Sequence, residues 1–376
     1  MKAIVNGIIL LPDGEAAGKV LVFDERIRGI TENVPADCEV IDAGGLYVSP
    51  GFVDVHIHGY LGADVSDGDP AGLEKMAAGI LKNGVTSFLP TTMTVPWEQL
   101  EAAFGTIRTF MTESAEAGFA AAQALGCHAE GPFINPVRKG AQAADAILPP
   151  DAGRLLPWAD VVRLVTLAPE MPGAADCIRT LHGHVRVSVG HTDADYDTVM
   201  EALEAGADHF THTFNAMTGL GHRAPGTVGA ALTSDAYCEL IADTFHVHRA
   251  LFKLLRRCAG DRLVLITDCT RAGGMPDGEY TLGGQPIYLR GIECRLADGT
   301  IAGSVLRMND AVRNYRDASG APLYEAVACA SLHPARSIGM EDRKGSLLPG
   351  RDADLLLMDV DCRIHALYKK GRLQGR

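Results

Sequence analysis

Two imidazoles stand two residues apart in "GFVDVHIHGY", where Asp54, His56 and His58 alternate with Val53, Val55 and Ile57. Successive side chains of an extended chain point to opposite faces, so the acid and both imidazoles share one face. Imidazoles at this spacing lie roughly 7 Å apart at their Cα atoms and can converge on one ion. Other groups of the same kind close apolar runs further along. Glu130 lies at the end of "ALGCHAEG", His191 follows "VSVG", His212 sits in "THTFN" and Asp268 ends "LVLITD". Buried carboxylates and imidazoles without partners each cost several kcal/mol, and one divalent cation offsets that for the whole group. A set of histidines and carboxylates without a thiolate suits Zn²⁺, Fe²⁺, Co²⁺ or Mn²⁺ better than Ca²⁺ or Mg²⁺. A cation with an open position lowers the pKa of bound water towards roughly 7 and polarises a carbonyl. Metal-assisted hydrolysis is therefore the reaction class. Asp268 is its natural base, taking the water proton and returning it to a leaving nitrogen.

Groups so far apart in the chain need a scaffold that gathers them. The strand candidates are "FVDVHIH" (52–58), "TSFLPTT" (86–92), "ALGCHAEG" (124–131), "VVRLVTLAP" (161–169), "VRVSVGHT" (185–192), "DHFTHTFN" (208–215), "YCELIAD" (237–243) and "LVLITD" (263–268). Alanine-rich helical stretches such as "AGLEKMAAGILKNG" and "YDTVMEALEAGA" separate many of them. Strands alternating with helices in this number predict an α/β fold, a closed (β/α)8 TIM-like barrel whose strands end at one functional face. Val264 and Ile266 share the parity of Asp268 and fill barrel layers beneath it. An open doubly wound sheet is the alternative; it would carry a glycine-rich phosphate turn where this chain has HxH. Residues 1–50 and 336–376 lack the rhythm and instead suggest a small β-sandwich built from both termini, around a barrel spanning 51–335. The stretch from Asp277 to Ser304 reads as β-hairpins inserted after the Asp268 strand, a pocket wall or lid. Arg223 follows His222 in a Gly/Pro-rich loop after the sixth strand, a suitable place for a phosphate contact.

Composition narrows the partners. The 376 residues are 47% hydrophobic and 22% charged, ordinary for a globular protein with a large core. A net charge of −13 argues against binding nucleic acid or an anionic membrane. The start "MKAIVNGIIL" is too short for a secretory apolar core, and no run reaches the roughly 18 apolar residues of a membrane span. The nine cysteines contain no CxxC pair and read as reduced thiols of a cytoplasmic protein. Cys127 and Cys269 flank candidate site residues and read as small apolar fillers.

The chain resembles the amidohydrolase superfamily and, within it, the N-acetylglucosamine-6-phosphate deacetylases. The resemblance runs over nearly the whole chain, through "PGFVDVHIHG", "HAEGPFINPVRKGA", "GHTDADY", "THTFNAMTGLGHRAPG", "IADTFHVH", "ITDCTRAGGMPDGEY", "IAGS" and "PARSIGMEDRKGSLLPGRDADLLLMD". It implies Glu130, His191 and His212 as principal ligands of a divalent cation, Zn²⁺ or Fe²⁺ in the first instance. His56 and His58 form the HxH version, compatible with a second cation bridged by Glu130. Asp268 is implied as catalytic acid/base, and His246 as the group that holds substrate and polarises its carbonyl. Substrate contacts are implied for Ala141, Gln142, Asn215, Ala216, Ile301, Ala302 and Gly303. Arg223 is implied to reach the neighbouring subunit's site, hence a homodimer. The expected substrate is a phosphorylated N-acetylated amino sugar, with the galacto epimer as the alternative to the gluco form. A cyclic-amide hydrolase is a further alternative, but it typically bridges two metals with a carboxylated lysine, and no lysine here ends an inner strand. A metal-free binding protein would have lost ligands, and none is missing. Two positions depart from the usual pattern: Gln142 replaces a histidine found in many relatives, and Thr244 replaces a more usual glycine.

Overall fold

Eight short runs of aliphatic and β-branched residues pair side by side in the computed structural model, which describes residues 1–374. In order they are Phe52–Ile57, Val85–Thr92, Cys127–Glu130, Val162–Leu167, Arg186–Val189, His209–Phe210, Tyr237–Ile241 and Leu263–Ile266. Each pairs in parallel with the next, and a fragment, Gln123–Ala124, extends the second strand's ladder. The seam between last and first strands is closed just past their ends. Asp268 N donates to His56 O and His58 N to Cys269 O, both at 2.9 Å. The result is the expected α/β barrel.

The helices that wrap it follow ordinary sequence rules. Pro70–Leu81 starts with proline in its first turn behind Asp69, whose carboxylate accepts from Ala71 N and Gly72 N. It buries Leu73, Met76, Ala77 and Ile80, a stripe at helical spacing, against the barrel. Trp97–Ser114, Ala174–Leu181, Tyr196–Ala205, Gly226–Thr233, Ala250–Ala259 and Met308–Ser319 complete the ring. After the third strand there is only the short helix Ala152–Leu155, preceded by the long loop that carries Ala141 and Gln142. Between Asp268 and Met308 lies a three-stranded antiparallel sheet, Gly278–Leu282, Gln285–Arg290 and Glu293–Leu296, in agreement with the hairpin reading.

Two small sheets stand apart from the barrel. One joins Lys2–Val5, Val20–Phe23, Ile27–Thr31 and Glu39–Asp42, all from the N-terminal stretch. The other interleaves Ile8–Leu11, Gly14–Ala17 and Tyr47–Pro50 with Leu355–Met358, Ile364–Lys369 and Arg372–Leu373, so both ends of the chain build it. Their facing apolar residues, among them Ile4, Leu21, Phe23, Val48, Leu355 and Tyr368, form a core of their own. Lys369 ties this layer to the barrel, its buried ammonium donating to Ser114 O, Phe119 O and Ala121 O.

One expectation about strand ends is corrected. The fifth, sixth and eighth strands stop at Val189, Phe210 and Ile266, so His191, His212 and Asp268 stand in the turns that follow. Their φ angles, +48°, +28° and +50°, are values that strand residues do not adopt.

Candidate metal centre and active site

Those turns aim three side chains inward over the barrel mouth, where Glu130 and the first strand meet them. Glu130 Oε1 lies 3.0 Å from His212 Nε2, 3.1 Å from His191 Nε2 and 3.3 Å from His56 Nε2. Its other oxygen, Oε2, is 3.3 Å from His58 Nε2 and accepts from Gln142 Nε2. Asp268 Oδ1 is 3.2 Å from His58 Nε2 and 3.6 Å from His56 Nε2. The structure thus brings together the six groups that the sequence singled out, all of them buried.

The donor set fits a divalent cation. His191 Nε2 and His212 Nε2 face each other at 3.1 Å, as do His56 Nε2 and His58 Nε2 at 3.2 Å. Such a pair of ring nitrogens shares at most one proton, yet both point at the same carboxylate. The opposite ring nitrogens explain the direction. His191 Nδ1 donates to Arg138 O at 2.8 Å, His58 Nδ1 to Thr91 O at 3.2 Å and His56 Nδ1 to Glu239 Oε2 at 2.9 Å. With Nδ1 carrying the proton, each Nε2 turns a lone pair into the cluster, the arrangement of metal-ligating histidines. His212 Nδ1 has no partner among the described residues. Glu130–His191–His212 and Glu130–His56–His58 each hold their ligand atoms within 4.8 Å of one another.

Electrostatics point the same way. Burial works against the Glu130 carboxylate, but His191 and His56 outweigh it and hold its pKa well below the usual range. Asp268 is likewise lowered, with burial opposed by His58 and His56. Burial would lower His58, yet Asp268 and Glu130 raise it to about 9. In His56 the same burial is overcome by Glu239 and Glu130. The carboxylates call for positive charge at this point, which a bound cation would supply in place of imidazolium protons.

Beneath the cluster lies a polar layer of which sequence reasoning singled out only Asp54. Glu239, fully buried, also accepts from His212 N at 3.0 Å. His128, next but one to Glu130 and so on its face of the strand, bonds Val55 O at 3.2 Å and Thr166 Oγ1 at 2.8 Å. Thr166, Thr211 and Ser188 continue that chain of hydroxyls. Asp54 accepts from Thr267 Oγ1 at 2.6 Å, and burial pushes its carboxyl up to about 7. The signal for His128 and Glu239 was parity with Glu130 and Ile241 on apolar strands.

Above the cluster opens a cavity of about 360 Å³. His58, Glu130, His191, His212 and Asp268 form its floor, and His56 lies just below. Of the other predicted residues, Ala141, Gln142, Asn215, Ala216, His246, Ile301 and Gly303 line it. Ala302 does not; it is buried, with its N–H donated to Cys294 O at 2.9 Å. Arg223 is also outside the cavity, exposed on its loop and donating to His222 Nε2 at 2.8 Å. Leu282 of the hairpin sheet, Met93, Val137, Arg138, Gly140 and Thr300 complete the wall without having been foreseen. Gly303 has φ +56°, and a Cβ there would lie 2.5 Å from Thr270 Cγ2, so the loop passes Asp268 only as glycine. Gly190 is equally constrained, since a Cβ would lie 2.6 Å from Thr211 Cβ and displace His191. His246 Nδ1 meets Asp243 Oδ2 at 2.6 Å, while Asp243 Oδ1 accepts from His246 N at 2.8 Å.

Cys127 and Cys269 are fully buried and burial pushes both thiols up, so neither is a ready nucleophile. Among the described residues no helix is long and apolar enough to cross a membrane.

Comparison with known proteins agrees with this geometry. The chain is 40% identical over 351 residues to the N-acetylgalactosamine-6-phosphate deacetylase of Escherichia coli O157:H7, covering 90% of each. It is 37% identical over 379 residues to the N-acetylglucosamine-6-phosphate deacetylase of Bacillus subtilis (strain 168), covering 99% of this chain and 93% of the relative. The crystal structure of N-acetylglucosamine-6-phosphate deacetylase from Pasteurella multocida superposes with a TM-score of 0.94 at 33% identity, covering all of both chains. Residues 47–373 match the model of the Amidohydrolase family, and the chain belongs to that family.

Proposed function

We propose that this protein hydrolyses the acetamide of N-acetylglucosamine-6-phosphate to glucosamine-6-phosphate and acetate. The observation that carries the reading is the buried convergence of Glu130, His191, His212, His56, His58 and Asp268 under an open cavity. Glu130, His191 and His212 would hold a divalent cation, Zn²⁺ or Fe²⁺, and His56 and His58 would serve a second. Bound there, such a cation supplies acidified water and a positive charge that polarises a carbonyl.

The chain's own groups do the rest. Asp268, whose Oδ1 lies 3.2 Å from His58 Nε2 at the floor of the cavity, is positioned to accept the proton of the attacking water. The same carboxyl returns that proton to the sugar nitrogen as the C–N bond breaks. His246, anchored by Asp243, offers Nε2 to the substrate and helps hold the acyl group in line. Ala141, Gln142, Asn215, Ala216, Ile301 and Gly303 form the sugar's walls, with Ala302 behind them holding the loop through its bond to Cys294 O. The cavity's guanidinium, Arg138, is paired with Asp193 at 2.8 Å, so the sugar phosphate takes its cation from elsewhere. Arg223, exposed and outside its own chain's cavity, supplies that charge to the neighbouring subunit of a homodimer. Nine cysteines without a disulfide fit a cytoplasmic enzyme.

One observation favours a second reading: the E. coli relative at 40% identity is named for the galacto epimer. The experiment is acetate release from both 6-phosphates by fully metallated protein, alongside Asp268→Asn. Activity on the gluco substrate, with turnover reduced by roughly 10⁴-fold in the variant at unchanged metal content, is expected. Strong preference for the galacto epimer selects the second reading, and absence of acetate from both refutes the deacetylase. An Asp268→Asn variant of undiminished activity refutes the role of Asp268.

A further inference from the structure

Glu130 divides its oxygens between two groups of ligands. Oε1 faces His191, His212 and His56, whereas Oε2 faces His58 and accepts from the side-chain amide of Gln142. The orientation of that amide is fixed by chemistry. Thr94 N donates to Gln142 Oε1 at 2.7 Å, so the oxygen must lie on that side and the NH₂ must face Glu130. The side chain is 2% exposed, and its loop is held by Gln142 N bonding Lys139 O at 3.0 Å. A carboxylate oxygen has two in-plane lone pairs. One on Oε2 meets the amide, and the other is left on the side of His58. Rotation of Glu130 to give both oxygens to a single cation would break this bond and leave the buried amide unpaired.

We propose that Gln142 is a positioning residue that locks Glu130 as a bridge, so that the His191–His212 end and the His56–His58 end each retain a divalent cation. This rests on the reading of the cluster as a metal centre. Without the amide, Glu130 turns both oxygens to the His191–His212 end, and the ion at the other end is held weakly. Gln142 then acts through Glu130, although it also lines the cavity.

The test uses full-length protein, metal-stripped and reloaded with Mn²⁺, comparing wild type with Gln142→Leu. Ion content and affinity are read by calorimetry and elemental analysis, and the bridge by the exchange-coupled Mn²⁺–Mn²⁺ paramagnetic resonance signal. Wild type is expected to take two coupled ions. Gln142→Leu is expected to keep the first at wild-type affinity, to bind the second roughly 10- to 100-fold more weakly, and to lose the coupled signal at matched loading. Should the leucine variant fail to fold, Gln142→Asn, whose shorter amide cannot span Thr94 and Glu130, carries the same expectation. Unchanged affinity for both ions, equal weakening of both, or a single ion in wild type overturns the proposal. A wild type that binds no ion defeats the metal-centre reading itself, a distinguishable result.

Discussion

Glu239→Gln probes the layer beneath the cluster with the smallest possible change. The carboxylate is fully buried, with Oε2 accepting from His56 Nδ1 at 2.9 Å and from His212 N at 3.0 Å. Oε1 has no partner among the described residues. Glutamine keeps the volume and removes the charge. With its oxygen in the place of Oε2 it accepts both bonds but buries an NH₂ where Oε1 stands alone. In the reverse orientation the NH₂ confronts two N–H donors. Either arrangement leaves a buried donor unpaired, at about 1–3 kcal/mol. It also withdraws the anion that keeps the His56 proton on Nδ1. Loss of such a supporting partner weakens metal affinity roughly 10- to 100-fold, or about 1.4–2.7 kcal/mol. Because Glu239 holds a side chain at one end of the cluster and the backbone at the other, both ions weaken, unlike the selective loss expected for Gln142→Leu. Competition for Zn²⁺ against a chromophoric chelator measures this, with circular dichroism confirming that the metal-free variant is folded. A folded Glu239→Gln protein whose Zn²⁺ affinity stays within twofold of wild type would falsify the claim that this carboxylate orients His56.

Two further predictions concern stability. Thr244 holds φ +67° on an exposed turn, where a β-branched side chain costs about 1–2 kcal/mol. Thr244→Gly removes that cost against about 0.5–1 kcal/mol of added unfolded-state freedom, so equilibrium denaturation should show a net gain of roughly 0.5–1 kcal/mol; a loss refutes the strain argument. Lys344, 2% exposed, lies 3.0 Å from Asp352 and 2.8 Å from Asp354, so Lys344→Met removes their shared cation, leaving Asp352 to Arg343 and Asp354 to Lys370 N, and should cost about 3 kcal/mol at pH 7 in urea unfolding. Asp352 is raised by burial but lowered more by Lys344 and Arg343; a lowered carboxylate stabilises above its unfolded pKa and loses that contribution as pH falls through its folded pKa. The deficit of Lys344→Met should therefore narrow below about pH 4, and a deficit independent of pH refutes the ion-pair account.

What the sequence reveals of this molecule follows the range over which each signal acts. Barrel strands are legible because a strand buried on both faces must be aliphatic over several residues whatever lies beside it, and the helices because their apolar stripe and caps are equally local. The cluster of possible metal ligands is legible for a different reason: imidazoles and carboxylates closing apolar runs have no cheap structural excuse. The side-chain supports are not, because Glu239 in "YCELIAD" and His128 in "GCHAEG" differ from satisfied core residues only through partners brought by other strands. Nor is Arg223 placed by its Gly/Pro-rich loop, which says that the guanidinium is exposed but not what it meets.

The same distinction accounts for the misplaced strand ends. Period-two alternation fixes only which face a side chain takes, and continuing it through "VSVGHT" or "LVLITD" carries the site residue past the last ladder bond. His191, His212 and Asp268 must instead bend over the mouth to meet Glu130, and a left-handed backbone provides that bend at about 1–2 kcal/mol per residue. Such a cost persists only where several bonds fix the result. His191 has Arg138 O and Glu130, His212 has Glu239 at its N–H and Glu130 at its ring, and Asp268 has His56 O at its N–H. Strand register thus brings these side chains to the right height, whereas strained turns bring them to a common point.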